Sequence, residues 1–239
     1  MDSQFPIVPS PPGDPSQSEV VSQPLTEDEA LASLKSGDLA SGAIEQMASN
    51  ATLIKNRKVK LAVVEHPKTP RRISLRLLRD LFTFDLMQVA LAVTVPGDIK
   101  RAAEDALINR LEAISLGERT SLALRASGRI AAELLLDSEP RVIQAALNNA
   151  RMTEALLVKA IARPNAAAVL VQAVCQDSKW SCRREVRSVL LRNEHTPPAR
   201  VLEFARALPV AVVREALQAS RLPEGIKTHV IRDLSVRTG

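Results

Sequence analysis

The sequence predicts an all-α fold: an α-solenoid (superhelix) of stacked, irregular helical pairs behind a disordered N-terminal tail. Three observations carry that expectation. First, apolar residues recur at helical spacing: Val186, Val189, Leu190 and Asn193 fall at i, i+3, i+4 and i+7 and share one helix face that must be buried. Second, the same order of events returns. Val59 to Pro70 (V-K-L-A-V-V-E-H-P-K-T-P) and Val186 to Pro197 (V-R-S-V-L-L-R-N-E-H-T-P) each run from an apolar stripe through a polar residue and a short turn to Thr-Pro. Val142 to Thr153 is a third copy, one residue longer. Third, strand signals are missing: no Val/Ile/Thr run alternates with polar residues, no Asn-Gly or Asp-Gly hairpin occurs, and Ala and Leu dominate. One helical pair cannot bury its own stripe, so neighbouring copies are expected to stack.

Taken in order, residues 1–25 carry Pro6, Pro9, Pro11, Pro12, Pro15 and Pro24 among Ser, Gln and Gly, too little apolar surface to offset ordering entropy. They read as an acidic, disordered tail. Thr26-Glu27-Asp28-Glu29 is a capping box, and it opens residues 26–50, two short capping helices parted at Ser36-Gly37. Residues 51–236 then hold the repeated pairs, with turns at positions such as His66-Pro67, Pro96-Gly97, Ser127-Gly128, Thr196-Pro197 and Leu222-Pro223. Thr196 is expected to N-cap the second helix of its pair, with Pro197 at the first helical position. The signature opens at Val59, Leu86, Val142, Val186 and Val213, so intervals near 27 alternate with wider gaps.

Composition bounds the function classes. The 239 residues are 46% hydrophobic and 25% charged, enough for one sizeable core. No apolar run approaches the roughly 20 residues that cross a bilayer, so no membrane association is expected. The N-terminus lacks a basic start, apolar core and cleavage site, and two cysteines are too few for a disulfide framework; a cytoplasmic protein is expected. The formal charge of +5 hides an asymmetry. Residues 1–29 hold six of the 27 acids and none of the 32 bases, which leaves 32 basic against 21 acidic residues in the remainder.

The Val-x-x-(Ala/Val)-x-x-x-(Asn/His)-x-x-Thr-Pro signature of residues 59–70 and 186–197 resembles that of the leucine-rich repeat variant and the wider HEAT-like α-solenoid group. The resemblance covers most of residues 38–236. It implies an armadillo-like repeat scaffold that binds a macromolecule, and it implies no shared catalytic residues. The chain lacks the cysteine cluster that precedes the repeats in that family, so the resemblance implies no iron–sulfur centre, and no cofactor is expected.

Side chains that could carry chemistry have plain structural readings. Cys175 and Cys182 are seven apart with no paired ligands, unlike a structural zinc site. Trp180 is expected to pack at a junction, and His66 and His195 belong to turns. No nucleophile has a recognisable partner, so no catalytic residue is expected. Basic stripes rise above this background: Arg72, Arg76 and Arg79 at i, i+4 and i+7, and Arg183, Arg184 and Arg187. Either they coat water-facing helices, or they form a binding surface that takes an acidic peptide or phosphates through bidentate hydrogen bonds. The expected partner is a protein or acidic peptide. Sequence-independent nucleic-acid binding on a basic groove, as in HEAT-like DNA-repair proteins, is the alternative. Aromatic residues at 2% leave little for base stacking. No feature specifies an oligomeric state.

Overall fold

A computed structural model describes residues 25–238 of the chain, and all regular structure among them is helical. The tail expectation, apart from Leu25, lies outside the described residues. In order, the helices are α1 (Glu27–Ser36), α2 (Ser41–Ser49), α3 (Ala51–Lys55), α4 (Arg57–Glu65), α5 (Arg71–Leu78) and α6 (Thr83–Leu91). There follow α7 (Gly97–Ile108), α8 (Leu116–Arg125), α9 (Gly128–Leu134), α10 (Pro140–Leu147), α11 (Glu154–Ile161) and α12 (Ala168–Gln176). The last are α13 (Ser178–Ser181), α14 (Arg184–Leu190), α15 (Pro198–Ala207), α16 (Val210–Gln218) and α17 (Glu224–Thr238).

Local chemistry sets the helix starts. The Thr26 hydroxyl accepts from Glu29 N while Glu29 accepts from Thr26 N at 2.9 Å, the capping box read in the sequence. Ser115 and Glu118 repeat it at α8. Asn50, Asn56, Ser127, Thr153 and Asp177 accept from the first free N–H groups of α3, α4, α9, α11 and α13. Gly37 ends α1 at φ +74, the left-handed conformation that a Cβ resists.

Thr196 plays a different part from the one expected. Pro197 is the N-cap of α15 and Pro198 its first residue, while the Thr196 hydroxyl donates to Leu190 O at 2.7 Å. Thr69 donates in the same way to Val63 O, six residues back. In the two Thr-Pro copies, then, the hydroxyl adds a second donor to a carbonyl at the end of the first helix, which already accepts from His66 N or Asn193 N, rather than accepting from an N–H at the start of the second. Thr153, which is not followed by Pro, caps α11 as expected.

The five residues that open the signature, Val59, Leu86, Val142, Val186 and Val213, are all fully buried. The inward stripe is shifted by one position from the expected one. Val59, Val63 and Val64 are buried, as are Val142, Ala146 and Leu147, and Val186, Leu190 and Leu191: offsets i, i+4 and i+5. Val189 is only half-buried. α4, α10 and α14 each pack on several other helices, among them α6, α12 and α16, and this widens the buried arc toward i+5.

Packing follows the chain. α4 packs on α6; α5 on α7, α7 on α9 and α9 on α11; α8 on α10 and α10 on α12; α14 on α16 and α15 on α17. Each substantial contact joins helices no more than three places apart. The long-range side-chain hydrogen bonds keep the same step, from 23 residues (Ser127 to Glu104) to 33 (Trp180 to Leu147). Arginine dominates them. Arg57 grips the buried Asp85 through two nitrogens, Arg163 grips Glu133 and Arg206 grips Asp233.

The polar residue of the signature ties each pair to the one before. Asn149 Oδ1 accepts from Arg151 N and Asn193 Oδ1 from His195 N, two residues on. Their amides donate backward, Asn149 to Ala123 O and Ala126 O, and Asn193 to Ile161 O. His66 occupies the same place, its Nδ1 accepting from Lys68 N at 3.2 Å, but its Nε2 is buried without an acceptor. Burial, and secondarily the Lys68 charge, hold the imidazole below its ordinary value of 6.5. With the folded value below the unfolded one, the unfolded chain takes up more protons as the pH falls through about 6.5, so stability is present above that value and is lost below it. Between about pH 7 and about pH 5.5 the melting temperature of the parent is expected to fall more than that of His66→Asn, the residue found at this place in the other two copies. Equal slopes would remove His66 as the source.

Candidate interaction surface

Four of the six arginines that the sequence singles out are engaged. In α5, Arg72 Nη2 meets Glu45 Oε2 at 2.8 Å and Arg76 Nη2 donates to Ala48 O at 3.0 Å, both reaching back to α2. Arg183 lies 4.0 Å from Glu154, and Arg187 Nε donates to Ser181 O at 2.7 Å with its guanidinium 5.9 Å from the Phe204 ring centre. Arg79 and Arg184 are exposed and bear no side-chain partner among the described residues. α5 packs chiefly on α4 and α7, and α14 on α11 and α16, and none of the main clefts is lined by both clusters. The first stripe therefore joins α5 to α2, and Arg183 joins the start of α14 to α11.

A surface that sequence reasoning missed lies along α6 and α8. The most exposed large apolar residues of the described chain outside α17 flank α6 or belong to α8: Phe82 (63% exposed) precedes α6, Val93 (93%) follows it, and Leu124 (49%) lies in α8. Near them in the chain are the residues that line a groove of about 640 Å³, among them Phe84, Met87 and Leu91 of α6 and Arg125 of α8. Phe82 is held in place, since the Arg57 guanidinium that grips Asp85 also lies 5.0 Å from the Phe82 ring centre. Glu65, at the end of α4, lines the same groove. Burial first, and the Asp85 charge to a lesser degree, push it above the ordinary carboxylate range, against a hydrogen bond from Gln88; its Oε1 is buried without a partner. The sequence held one usable signal, Phe82-Thr83-Phe84, which places two of only four phenylalanines at one helix start.

The remaining candidates behave as core or junction. Cys175 is buried and its thiol is pushed up to about 11, chiefly by burial, so it carries no thiolate near neutral pH. Trp180 is packed, with Nε1 donating to Leu147 O at 3.0 Å. Among the described residues, no group of three or more His, Cys, Asp or Glu is placed to hold a metal ion. No described helix is long and apolar enough to cross a membrane. The chain matches no protein-family model, no curated protein and no solved structure at a significant level.

Proposed function

We propose that the chain is a non-catalytic helical-repeat scaffold, an α-solenoid of HEAT-like pairs, that binds a partner protein in the groove between α6 and α8. Packing confined to chain neighbours and polar cross-links at one recurrent step support the solenoid. The observation that carries the binding site is exposed Phe84, backed by half-buried Leu91 and buried Met87 and flanked by exposed Phe82, in a chain with four phenylalanines and one tryptophan. Exposed aromatic anchors beside an apolar wall, with a cation and a carboxyl group at the margin, suit an amphipathic segment of another protein. Duplex nucleic acid fits less well, because the arginine stripes are largely spent on neighbouring helices.

A photo-crosslinking residue at Gln88, which lines the groove, is expected to give discrete protein adducts in cells, whereas the same residue at exposed Arg101 gives none. Phe84→Asp is expected to lower adduct yield about tenfold with helicity unchanged. Identical adducts at both positions, or yield unaffected by Phe84→Asp, would remove the groove as the site. Duplex DNA binding that collapses between about 50 and about 200 mM salt would favour the phosphate-backbone reading instead.

A further inference from the structure

Arg163, Arg192 and Arg221 are spaced 29 and again 29 residues apart, one step of the chain each, and each follows a helix end: α11, α14 and α16. All three line one cleft of about 270 Å³, together with Asn193, His195 and the half-buried Val189. The turns that carry them are locked to one another. Arg221 N donates to Arg192 O at 3.0 Å, and Asn193 spans from Ile161 O to His195 N.

The three guanidinium groups are not equally occupied. Arg163 is neutralised by Glu133 through two bonds of 2.6 and 2.7 Å. Arg192 meets Glu215 through Nη2 alone, at 3.2 Å, while its Nε is buried with no acceptor. Arg221 is exposed and has no side-chain partner among the described residues. Glu194 is the one carboxylate that lines the cleft, and it is exposed. Cations at helix ends offset the macrodipole, which accounts for three arginines in these turns but not for their convergence on one cleft whose lining holds a single carboxylate.

We propose that this cleft is an anion site for a phosphate monoester. A tetrahedral phosphoryl group offers three acceptor oxygens, enough to take the Arg192 Nη–H groups left over from Glu215 and the Arg221 fork together, where a carboxylate is matched by one guanidinium. Val189, half-buried beside the inward stripe of α14, gives the ester's carbon body an apolar wall. The ester group could belong to a small molecule or to a phosphorylated side chain of a partner. The site shares no lining residue with the α6–α8 groove, so the two stand or fall separately.

The test is an NMR titration that follows the arginine Nε–Hε signals at constant ionic strength, with inorganic phosphate, phenyl phosphate, and a phosphoserine peptide beside its unphosphorylated form as probes. Saturable shifts at Arg192 and Arg221 are expected, with phenyl phosphate several-fold tighter than phosphate. Arg221→Gln is expected to weaken binding about tenfold while helicity stays unchanged. Arg192→Lys, which keeps the charge and loses the planar fork, is expected to weaken it about fivefold. Arg101→Gln should leave it unaltered. A phosphopeptide that outbinds phenyl phosphate assigns the site to a phosphorylated partner, and equal binding assigns it to a small ester; both uphold the site. Non-saturating shifts, full binding by Arg221→Gln, or full binding by Arg192→Lys would overturn it.

Discussion

Replacing Trp180 with alanine is expected to destabilise the protein by about 3 to 5 kcal/mol, the range for deleting a buried large aromatic side chain. Trp180 is the single tryptophan, 3% exposed, on the four-residue α13, which Asp177 caps. Its ring fills the junction where α12, α13 and α14 meet, and its Nε1–H ends on Leu147 O, the last residue of α10. Truncation thus removes the packing and also leaves a buried carbonyl without a donor. Trp180→Phe separates the two parts: it keeps most of the volume and loses the bond, for a cost of about 1 to 3 kcal/mol. Urea unfolding followed by circular dichroism measures both, since the variants have no tryptophan fluorescence. A Trp180→Ala protein with the parent's midpoint would mean that the junction is not packed as described.

Gly128→Ala is the second change with a large expected effect. Gly128 opens α9 against the turn between α10 and α11, and a Cβ there would run into the carbonyl oxygen of Arg151 and come within 2.9 Å of Leu156 Cδ1. The obstruction is backbone, which cannot rotate away, so α9 must shift from its neighbour, at a cost of about 1 to 3 kcal/mol or more. Gly117→Ala is the control. It also lies in the first turn of a helix, its Cβ would meet open space, and the loss of unfolded-state freedom should raise stability by about 0.4 to 1 kcal/mol. Opposite signs for two chemically identical substitutions, read from thermal melts, are the expected result; two changes of the same sign would refute the close approach at Gly128.

Much of the fold could be read from the chain because local rules and packing agree. The Thr26 capping box needs only four residues, and the burial of Val59, Val142, Val186 and Val213 follows from apolar spacing alone. Thr196 shows where that reading stops. A threonine before proline at a helix–helix turn can serve the helix behind or the helix ahead, and the choice depends on which backbone group lies within reach of its hydroxyl. Val189 was misplaced because the width of a buried stripe depends on how many neighbours a helix has. The arginine steps 163–192–221 were illegible for another reason: the residues sit in turns, where no helical period marks them, and only packing aligns positions so far apart. The groove beside Phe84 was hidden by a low overall aromatic content, which says nothing of where the few aromatic residues are spent.

Packing confined to chain neighbours has a mechanical consequence. A body whose parts all touch one another shares an applied load, whereas in the proposed solenoid tension between α1 and α17 would pass from one helical pair to the next in series. Extension would add over the pairs, while strength would be set by the weakest junction alone. Arginine bridges such as Arg57 to Asp85, between α4 and α6, and Arg206 to Asp233, between α15 and α17, would then act as ties near its two ends. They share no helix, so in such a body one could slacken while the other holds.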